Sequence, residues 1–221
     1  MYNEEGAAEQ VLHQIMYVLR KADIPFKIAV VNNGSNDSTG SILDNLAEQF
    51  TEIIPIHFPE NQGYGGGIQA GMRALTPHNC DIVGWMWGDG QILPDVLPRL
   101  TEAIQLGADI AKTRRTARED GFKRKVISRC YATLLETTQN TLADVNGCPK
   151  LFTQSCWASL NVASTDWFID AEAMLKAQQQ GYQIHEEEVT MQKRLHNKSK
   201  VNVRTWIEFV VNIAKWNLHT R

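Results

Sequence analysis

Short apolar runs alternate along the chain with longer segments whose apolar residues recur every three or four positions. Residues 28–31 are mostly β-branched, which favours a buried strand, whereas 7–22 carry apolar side chains on one helical face. The same patterns predict strands at 53–58, 82–87, 108–112, near 151 and at 184–189, and helices at 38–50, 68–75, 93–106, 122–138 and 171–180. This alternation predicts one α/β domain with a mostly parallel central sheet flanked by helices.

Two polar loops follow predicted strands, at 32–39 and 88–91. Ligands of such sheets bind at the carboxyl ends of the strands, so both loops are expected at one edge. The first loop carries more polar side chains than a simple connection needs. A turn followed by a helix N-cap, with Asp37 or Ser38 as the capping residue, is the simpler interpretation.

Composition narrows the function classes. With 221 residues, 43% of them hydrophobic, the chain is long enough to bury a substantial core. A net charge of -3 gives no electrostatic case for nucleic acid as a partner. The four cysteines have no metal-ligand spacing, and no apolar run reaches the roughly 20 residues that span a bilayer. Without a recognisable signal peptide, a cytoplasmic location is expected, with peripheral membrane contact as an extension of it.

The polar motifs have a recognisable order. Tyr2-Asn3-Glu4-Glu5 precedes the first helix, and Val31-Asn32-Asn33-Gly34-Ser35 begins the first loop. Residues 61–67 read NQGYGGG, 88–91 read GDGQ, and 194–200 read RLHNKSK. This series resembles the family 2 glycosyltransferases of the GT-A fold, and most of all the polyprenyl-phosphate (dolichyl-phosphate type) sugar transferases. The last segment is similar to their R-x-x-G-x-S-K motif.

The resemblance implies a single GT-A-like, Rossmann-like domain over residues 1–203. Residues 1–107 would bind the nucleotide-sugar, 108–203 would bind the acceptor, and 204–221 would form an amphipathic helix. The family's first apolar strand has no counterpart in this sequence, which starts at Met1-Tyr2. The implied reaction moves a sugar from a UDP- or GDP-linked donor to a polyprenyl phosphate with inversion.

The resemblance also assigns the donor site. In the family, acidic residues of the first loop hold the base and ribose, and amides stand here at both acidic positions, Asn32 and Asn33. An amide still offers an acceptor and adds a donor. The expected donor-binding residues are Tyr2, Glu4, Asn32, Asn33, Ser35, Asn61, Gly63, Gly67 and Asp89.

The resemblance places a divalent cation, Mg²⁺ or Mn²⁺, beside Asp89 and Gln91. The family motif there is D-x-D-x-Q, and Trp87 replaces its first Asp. One carboxylate is sufficient for Mg²⁺ that also binds substrate phosphates and water. Asp89 and Asp170 are the expected catalytic residues. A simple turn at 88–90 and a helix-capping role for Asp170 are the alternatives.

Cationic residues of the second half are expected to bind the acceptor phosphate, because arginine engages phosphate oxygens through two donors. Arginines 114, 115 and 118 follow a strand, and at least one of them is expected to be only a solvated charge. The resemblance assigns the acceptor or a phosphate to Arg114, Arg118, Asp144, Lys150, Arg194, Lys198 and Lys200.

Two other functions remain open. Residues 65–70 fit the G-x-G-x-x-A pattern of NAD(P)- or FAD-dependent oxidoreductases, although four residues separate them from the preceding strand. Alternatively, the amide substitutions and the missing strand are consistent with a truncated, non-catalytic nucleotide-sugar-binding protein. The apolar face after Trp206 would lie in a membrane interface, pack on the domain, or pack on a second copy in a homo-oligomer.

Overall fold

The computed structural model describes residues 1–117, 142, 144–192 and 203–219. The predicted helix at 122–138 and the predicted site residues Arg118, Arg194, Lys198 and Lys200 lie outside these ranges.

Helices and strands alternate as the apolar pattern predicts. The helices are α1 (Ala8–Lys21), α2 (Thr39–Gln49), α3 (Gly63–Leu75), α4 (Leu97–Gln105), α5 (Gln154–Leu160), α6 (Ile169–Gln179) and α7 (Val203–His219). The strands are β1 (Ile28–Asn33), β2 (Ile53–Phe58), β3 (Ile82–Trp85), β4 (Ile110–Ala117), β5 (Lys150–Thr153) and β6 (Ile184–Thr190). The predicted helix at 93–106 starts as a short 3-10 turn, Pro94–Val96. Helix α5 was not predicted.

The strands form two sheets. Strands β1 and β2 pair in parallel, and a second sheet has the order β3-β5-β4-β6. Within it β4 and β6 are parallel, while β5 runs antiparallel to both of its neighbours. Gly84 allows β3 to approach β5, since a Cβ atom there would lie 2.1 Å from the carbonyl oxygen of Lys150. The α/β class is confirmed, with an antiparallel strand that the alternation did not predict.

The first residue of the chain lies along the edge of β1 that faces away from β2. The Asn33 amide donates to the Met1 carbonyl oxygen at 2.8 Å, and the Met1 amino group donates to the Val31 carbonyl oxygen. These two bonds reproduce one step of a parallel ladder. Beyond Met1, a cavity of about 1540 Å³ is lined by residues of both β1 and β3.

Helix α7 packs on the domain. Ile213 is 1% exposed and belongs to the largest core cluster, and Trp216 packs against the same cluster. The Asn212 side-chain amide donates to Asp166 Oδ2 at 2.7 Å. Among the described helices, none is long and apolar enough to pass through a bilayer. Of the three sequence interpretations of this helix, the structure supports packing on the domain.

Truncating a buried α7 side chain should therefore destabilise the whole protein. Ile213→Ala is expected to lower the free energy of unfolding by about 2–5 kcal/mol, because it removes buried methyl groups and leaves a cavity. Leu218, which is 79% exposed on the same helix, is the matched control, and Leu218→Ala should change stability by about 0.5 kcal/mol or less. Urea unfolding of both variants measures the difference. Equal effects would mean that α7 does not dock on the core.

Candidate functional site

One end of the cavity is polar, and loops that follow β1, β3 and β4 contribute to it. The predicted site residues that line the cavity are Tyr2, Glu4, Asn33, Asn61, Gly63, Gly67, Asp89, Gln91, Asp144 and Asp170. Both polar loops thus reach the same cavity, as the sequence predicts. Asn32, Ser35, Arg114 and Lys150 are not among the lining residues.

Most polar groups of the first loop bind neighbouring segments of the protein. Asn33 Nδ2 donates to the Gly63 carbonyl oxygen at 2.8 Å, and Asn33 Oδ1 accepts from the Gln62 amide at 2.9 Å. Asn32 Oδ1 accepts from the Ser35 amide at 3.1 Å, and Ser35 Oγ accepts from the Asn3 amide at 2.9 Å. The loop therefore fixes both the start of α3 and the amino-terminal segment. Only Asn33 of these loop residues also faces the cavity.

The turn after β3 carries the candidate metal ligand. Asp89 is 8% exposed, and its Oδ1 accepts from the Gln91 amide at 3.1 Å, which closes the turn. Gln91 is held in turn by Gln192, whose amide donates to the Gln91 carbonyl oxygen at 2.7 Å. No group of three or more potential metal-ligating side chains occurs in the described ranges. This donor set suits a cation that arrives with a diphosphate and keeps several waters, rather than a site built entirely from protein ligands.

The glycine run at 63–67 makes room for a loop from the second half of the chain. A Cβ at Gly63 would lie 2.7 Å from the Thr165 carbonyl oxygen, and one at Gly65 would lie 2.7 Å from three backbone atoms of residues 164–166. The Gly66 amide donates to the Thr165 carbonyl oxygen at 2.8 Å. These glycines lie inside α3 and allow this helix to pack closely against the loop of residues 164–166. They do not form the tight strand-to-helix turn that a dinucleotide site requires.

Glu172 also holds the loop that packs against the glycines of α3. Its carboxylate accepts from the Ser164 amide at 2.7 Å and from the Ala163 amide at 3.1 Å, and it pairs with Lys176. Burial opposes the ionisation of Glu172, but these hydrogen bonds outweigh burial and lower its pKa. Glu172 is thus a structural residue within α6 rather than a helix cap.

Three aromatic rings form one wall of the cavity. The Tyr64 and Trp167 rings stack with centroids 4.4 Å apart, and Trp87 Nε1 donates to the Tyr64 hydroxyl at 2.8 Å. Arg115 Cζ lies 5.5 Å from the centroid of the Trp87 ring. Trp87 stands at the position of the first Asp in the D-x-D-x-Q motif described above. It therefore supplies a flat apolar surface beside Asp89 instead of a second carboxylate.

Of the two arginines described on β4, Arg115 lines the cavity and Arg114 does not. Arg115 makes two side-chain hydrogen bonds of 2.6 Å to Asp144, whereas Arg114 pairs with Glu188 on the exposed side of β6. Adjacent residues of a strand point to opposite faces, so only one of the two can face inward. The phosphate role of Arg114 stays a prediction, because the structure pairs its side chain with Glu188 and does not place it in the lining of the cavity. Burial opposes the charge of Asp144, but the hydrogen bonds and charge of Arg115 lower its pKa to about 2.

Lys150 is fully buried and is not among the residues that line the cavity. Its ammonium group pairs with Asp170, which is 3% exposed, and lies 5.7 Å from the centroid of the Trp85 ring. The acceptor-binding role of Lys150 stays a prediction, and the contact that the structure gives Lys150 is the one with Asp170. Asp170 lines the cavity from the first turn of α6 and does not cap the helix. Sequence spacing gave no sign of this pair, which joins residues on β5 and α6.

The order and geometry of these motifs agree with a comparison of the sequence with known families. The profile of the family described as "Glycosyl transferase family 2" matches residues 1–166. The chain belongs to glycosyltransferase family 2. Undecaprenyl-phosphate 4-deoxy-4-formamido-L-arabinose transferases of Photorhabdus laumondii subsp. laumondii and Pectobacterium atrosepticum are each 30% identical over 150 residues, 67% of this chain and 45% of theirs. This family 2 chain thus spans about half the length of the curated relatives that it matches.

Solved structures show that this family 2 chain has the GT-A fold. Glucosyl-3-phosphoglycerate synthase from Mycobacterium tuberculosis, in complex with Mn²⁺, UDP and glucosyl-3-phosphoglycerate, is similar with a TM-score of 0.74 and 16% identity, over 98% of this chain and 77% of that one. A mannosyltransferase from Pyrobaculum calidifontis, in complex with GDP-Man and Mn²⁺, has a TM-score of 0.63 and 17% identity, over 100% of this chain and 61% of that one. At 16% and 17% identity, these two similarities show the fold alone.

The Arg115–Asp144 pair should make stability depend on acid pH. Between pH 4 and 2 the unfolded Asp144, with a pKa near 3.8, takes up a proton while the folded carboxylate stays ionised. The resulting stability of about 2 kcal/mol is complete above pH 4 and is lost as the pH falls toward 2.

Asp144→Asn should therefore be less stable at pH 7 and lose less stability on acidification. Urea unfolding from pH 7 to pH 2 measures both effects, with the exposed Asp23→Asn as the control. The same acid dependence in Asp144→Asn and in the unchanged protein would refute the assignment.

Proposed function

We propose that this chain binds a nucleoside diphosphate sugar, linked to UDP or GDP, at the polar end of the cavity and transfers the sugar to a polyprenyl phosphate. The observation that carries the proposal is that Asp89, Arg115 and Asp170 line one cavity of a family 2 chain. The carboxylate of Asp89 and the guanidinium of Arg115 are suited to a diphosphate with its cation, and the carboxylate of Asp170 is suited to a sugar.

The donor would lie across the loops that follow β1 and β3. Asn33, Asn61 and Gly63 form one hydrogen-bonded cluster on the first side, with Tyr2 and Glu4 beside it. Structural neighbours hold UDP or GDP-Man together with Mn²⁺, which supports a nucleoside diphosphate as the ligand class. Asp89 and Gln91 would hold Mg²⁺ or Mn²⁺ against the diphosphate. When bound, the cation stabilises the charge on the leaving diphosphate.

The reaction would be a direct displacement with inversion. An oxygen of the acceptor phosphate attacks the anomeric carbon, and the bond from that carbon to the donor diphosphate breaks. A phosphate acceptor is already anionic and needs no strong general base. Arg115 would orient a phosphate from its fixed position on Asp144, and Asp170 would fix a sugar hydroxyl by accepting a hydrogen bond. The Trp87 and Trp167 rings would exclude water from one side of the sugar.

The basic residues at 194–200, which follow β6 and Gln192 in the sequence, are proposed to bind the acceptor. Gln192 is the last described residue before them, and Gln192 hydrogen-bonds to Gln91 through both its amide and its carbonyl oxygen. Gln192, which precedes Arg194, Lys198 and Lys200 in the sequence, therefore lies beside the turn that carries Asp89. The relatives are named as transferases to undecaprenyl phosphate, which supports a polyprenyl phosphate acceptor and peripheral contact with a membrane.

A non-catalytic nucleotide-sugar-binding role is the second candidate. It is favoured by the two amides at positions 32 and 33 and by Trp87, since all three replace carboxylates of the family motif. Sensitive measurement of donor hydrolysis with and without Mn²⁺ separates this role from an active transferase.

Asp89 should carry the metal-dependent part of donor binding. UDP or GDP with Mn²⁺ is expected to raise the melting temperature, because a ligand that binds only the folded state stabilises it, and NAD should not. Asp89→Asn should lose the increment that depends on Mn²⁺, whereas Asp95→Asn, at an exposed position nearby, should keep it. Stabilisation by NAD alone, or an unchanged Mn²⁺ increment in Asp89→Asn, would contradict the proposal.

The basic segment should act on the acceptor and not on the donor. Arg194→Ala and Lys200→Ala are each expected to reduce transfer to a polyprenyl phosphate roughly tenfold or more, because each loses a charge-assisted contact of about 1.5–3 kcal/mol. Donor affinity, measured by calorimetry, should stay nearly the same. Lys21→Ala, on the exposed end of α1, is the matched control. If the two variants lost donor affinity to the same extent as transfer, the segment would instead bind the nucleotide. If both variants kept full transfer activity, the segment would have no role in the site.

A further inference from the structure

The Tyr64 side chain joins two segments that carry candidate site residues. Its ring stacks on Trp167, with centroids 4.4 Å apart, and Trp167 shortly precedes Asp170 in the first turn of α6. At its polar end, the Tyr64 hydroxyl accepts from Trp87 Nε1 at 2.8 Å. All four side chains belong to residues that line the cavity. Tyr64 therefore connects the turn after β3 with the start of α6.

The groups themselves determine the direction of these hydrogen bonds. An indole N–H can only donate, so the Tyr64 hydroxyl oxygen accepts from Trp87. The single hydrogen of the phenol is then left for another acceptor, and Asp170 is that acceptor. Lys150 Nζ pairs with Oδ1 of the same carboxylate. Donors from α3 and from β5 thus hold Asp170 together.

The Tyr64 hydroxyl keeps the hydrogen that it donates. Burial raises the pKa of Tyr64 well above its usual range, and the neighbouring charge of Asp170 raises it further. The hydrogen bond from Trp87 acts in the opposite direction but does not outweigh them. Tyr64 therefore remains a neutral donor at any pH at which the protein is folded and active.

We propose that Tyr64 and Trp87 are positioning residues for Asp170, in which Trp87 turns the Tyr64 hydroxyl toward the carboxylate and the carboxylate accepts one hydroxyl of the donor sugar. The inference rests on the proposed function, in which Asp170 contacts the sugar. Two fixed donors leave the other lone pairs of the carboxylate in fixed directions. A site built in this way discriminates against a sugar without the matching hydroxyl, because a buried acceptor would be left without a partner.

Trp87 is suited to this role in a way that a carboxylate is not. It stands where the family motif has its first Asp. A carboxylate in contact with the Tyr64 hydroxyl would accept its hydrogen and so compete with Asp170 for it. The indole reverses the direction of this bond and leaves the hydrogen to Asp170. The replacement thus supplies a donor to the sugar site while it removes a carboxylate from the metal turn.

The first test examines the hydrogen-bond chain in the full chain without ligand. Tyr64→Phe removes the hydroxyl and keeps the ring that stacks on Trp167. The matched control, Tyr182→Phe, removes a hydroxyl that bonds to Ser159, away from the residues that line the cavity. The readout is the indole N–H signal of Trp87 in NMR spectra, assigned by its loss in Trp87→Phe. Tyr64→Phe should shift this signal upfield, and Tyr182→Phe should not. An unchanged signal in Tyr64→Phe would overturn the proposal.

The second test separates the sugar from the nucleotide. Calorimetry with Mn²⁺ gives the affinity for UDP-glucose relative to UDP and for GDP-mannose relative to GDP. Tyr64→Phe should lower at least one of these two ratios about tenfold, because the sugar loses a positioned acceptor, and should leave the affinities for UDP and GDP nearly unchanged. Tyr182→Phe should leave the ratios unchanged as well. Unchanged ratios in Tyr64→Phe, or an equal loss of affinity for UDP and GDP, would overturn the positioning role.

The part played by Trp87 is tested in the double variant. Because both residues act through one hydroxyl, Tyr64→Phe should change the affinity ratio at least threefold less when Trp87→Phe is already present. An equal effect in both backgrounds would overturn the role of Trp87. If the unchanged protein bound none of the four nucleotides, the proposed function would be contradicted, whereas the indole signal would still decide whether the hydrogen-bond chain exists.

Discussion

Among the residues that the structure describes, three cations are buried behind or beside the polar end of the cavity, and each is balanced by a carboxylate. The pairs are Lys112 with Glu186, Arg115 with Asp144, and Lys150 with Asp170. Lys112 and Lys150 stand opposite each other in the pairing of β4 with β5. Burial and the neighbouring charge of Lys150 lower the pKa of Lys112, whose ammonium group is held by Glu186 and by the carbonyl oxygens of Thr113 and Asp144. Removing one partner of such a pair costs about 3–5 kcal/mol, so the network fixes these strands and α6 together.

The same network sets the chemistry at the cavity. Asp144 and Asp170 line it, and each is paired with a buried cation, so their positions are fixed before any ligand binds. Asp89 lies in a separate turn, where one oxygen closes the turn onto Gln91. The proposed donor would thus meet a preorganised arrangement, and its own diphosphate would complete the cation's ligands. Packing of the 164–166 loop against the glycines of α3 brings α6, and with it Asp170, up to the donor loops.

Sequence patterns predicted the parts of this structure that depend on local periodicity. The alternating apolar runs located β1–β3, the helices between them and the edge of the sheet where the polar loops meet. The order of the motifs predicted the family. Patterns could not separate Arg114 from Arg115, because the choice depends on which face of β4 is turned inward. They also missed the burial of Lys150, since its partner Asp170 is 20 residues away on another element. The glycine run was ambiguous for the same reason: its contact, Thr165, is distant in sequence. Helix α5 is only seven residues long, too short for a clear helical period.

The central claim is that a nucleoside diphosphate and a divalent cation bind together at the turn of Asp89. Anomalous scattering of Mn²⁺ in crystals grown with UDP or GDP tests it most directly. The account predicts one Mn²⁺ peak in contact with the Asp89 carboxylate and with diphosphate oxygens, and the base beside Asn33. A nucleotide bound elsewhere, or Mn²⁺ bound without contact to Asp89, would contradict the account.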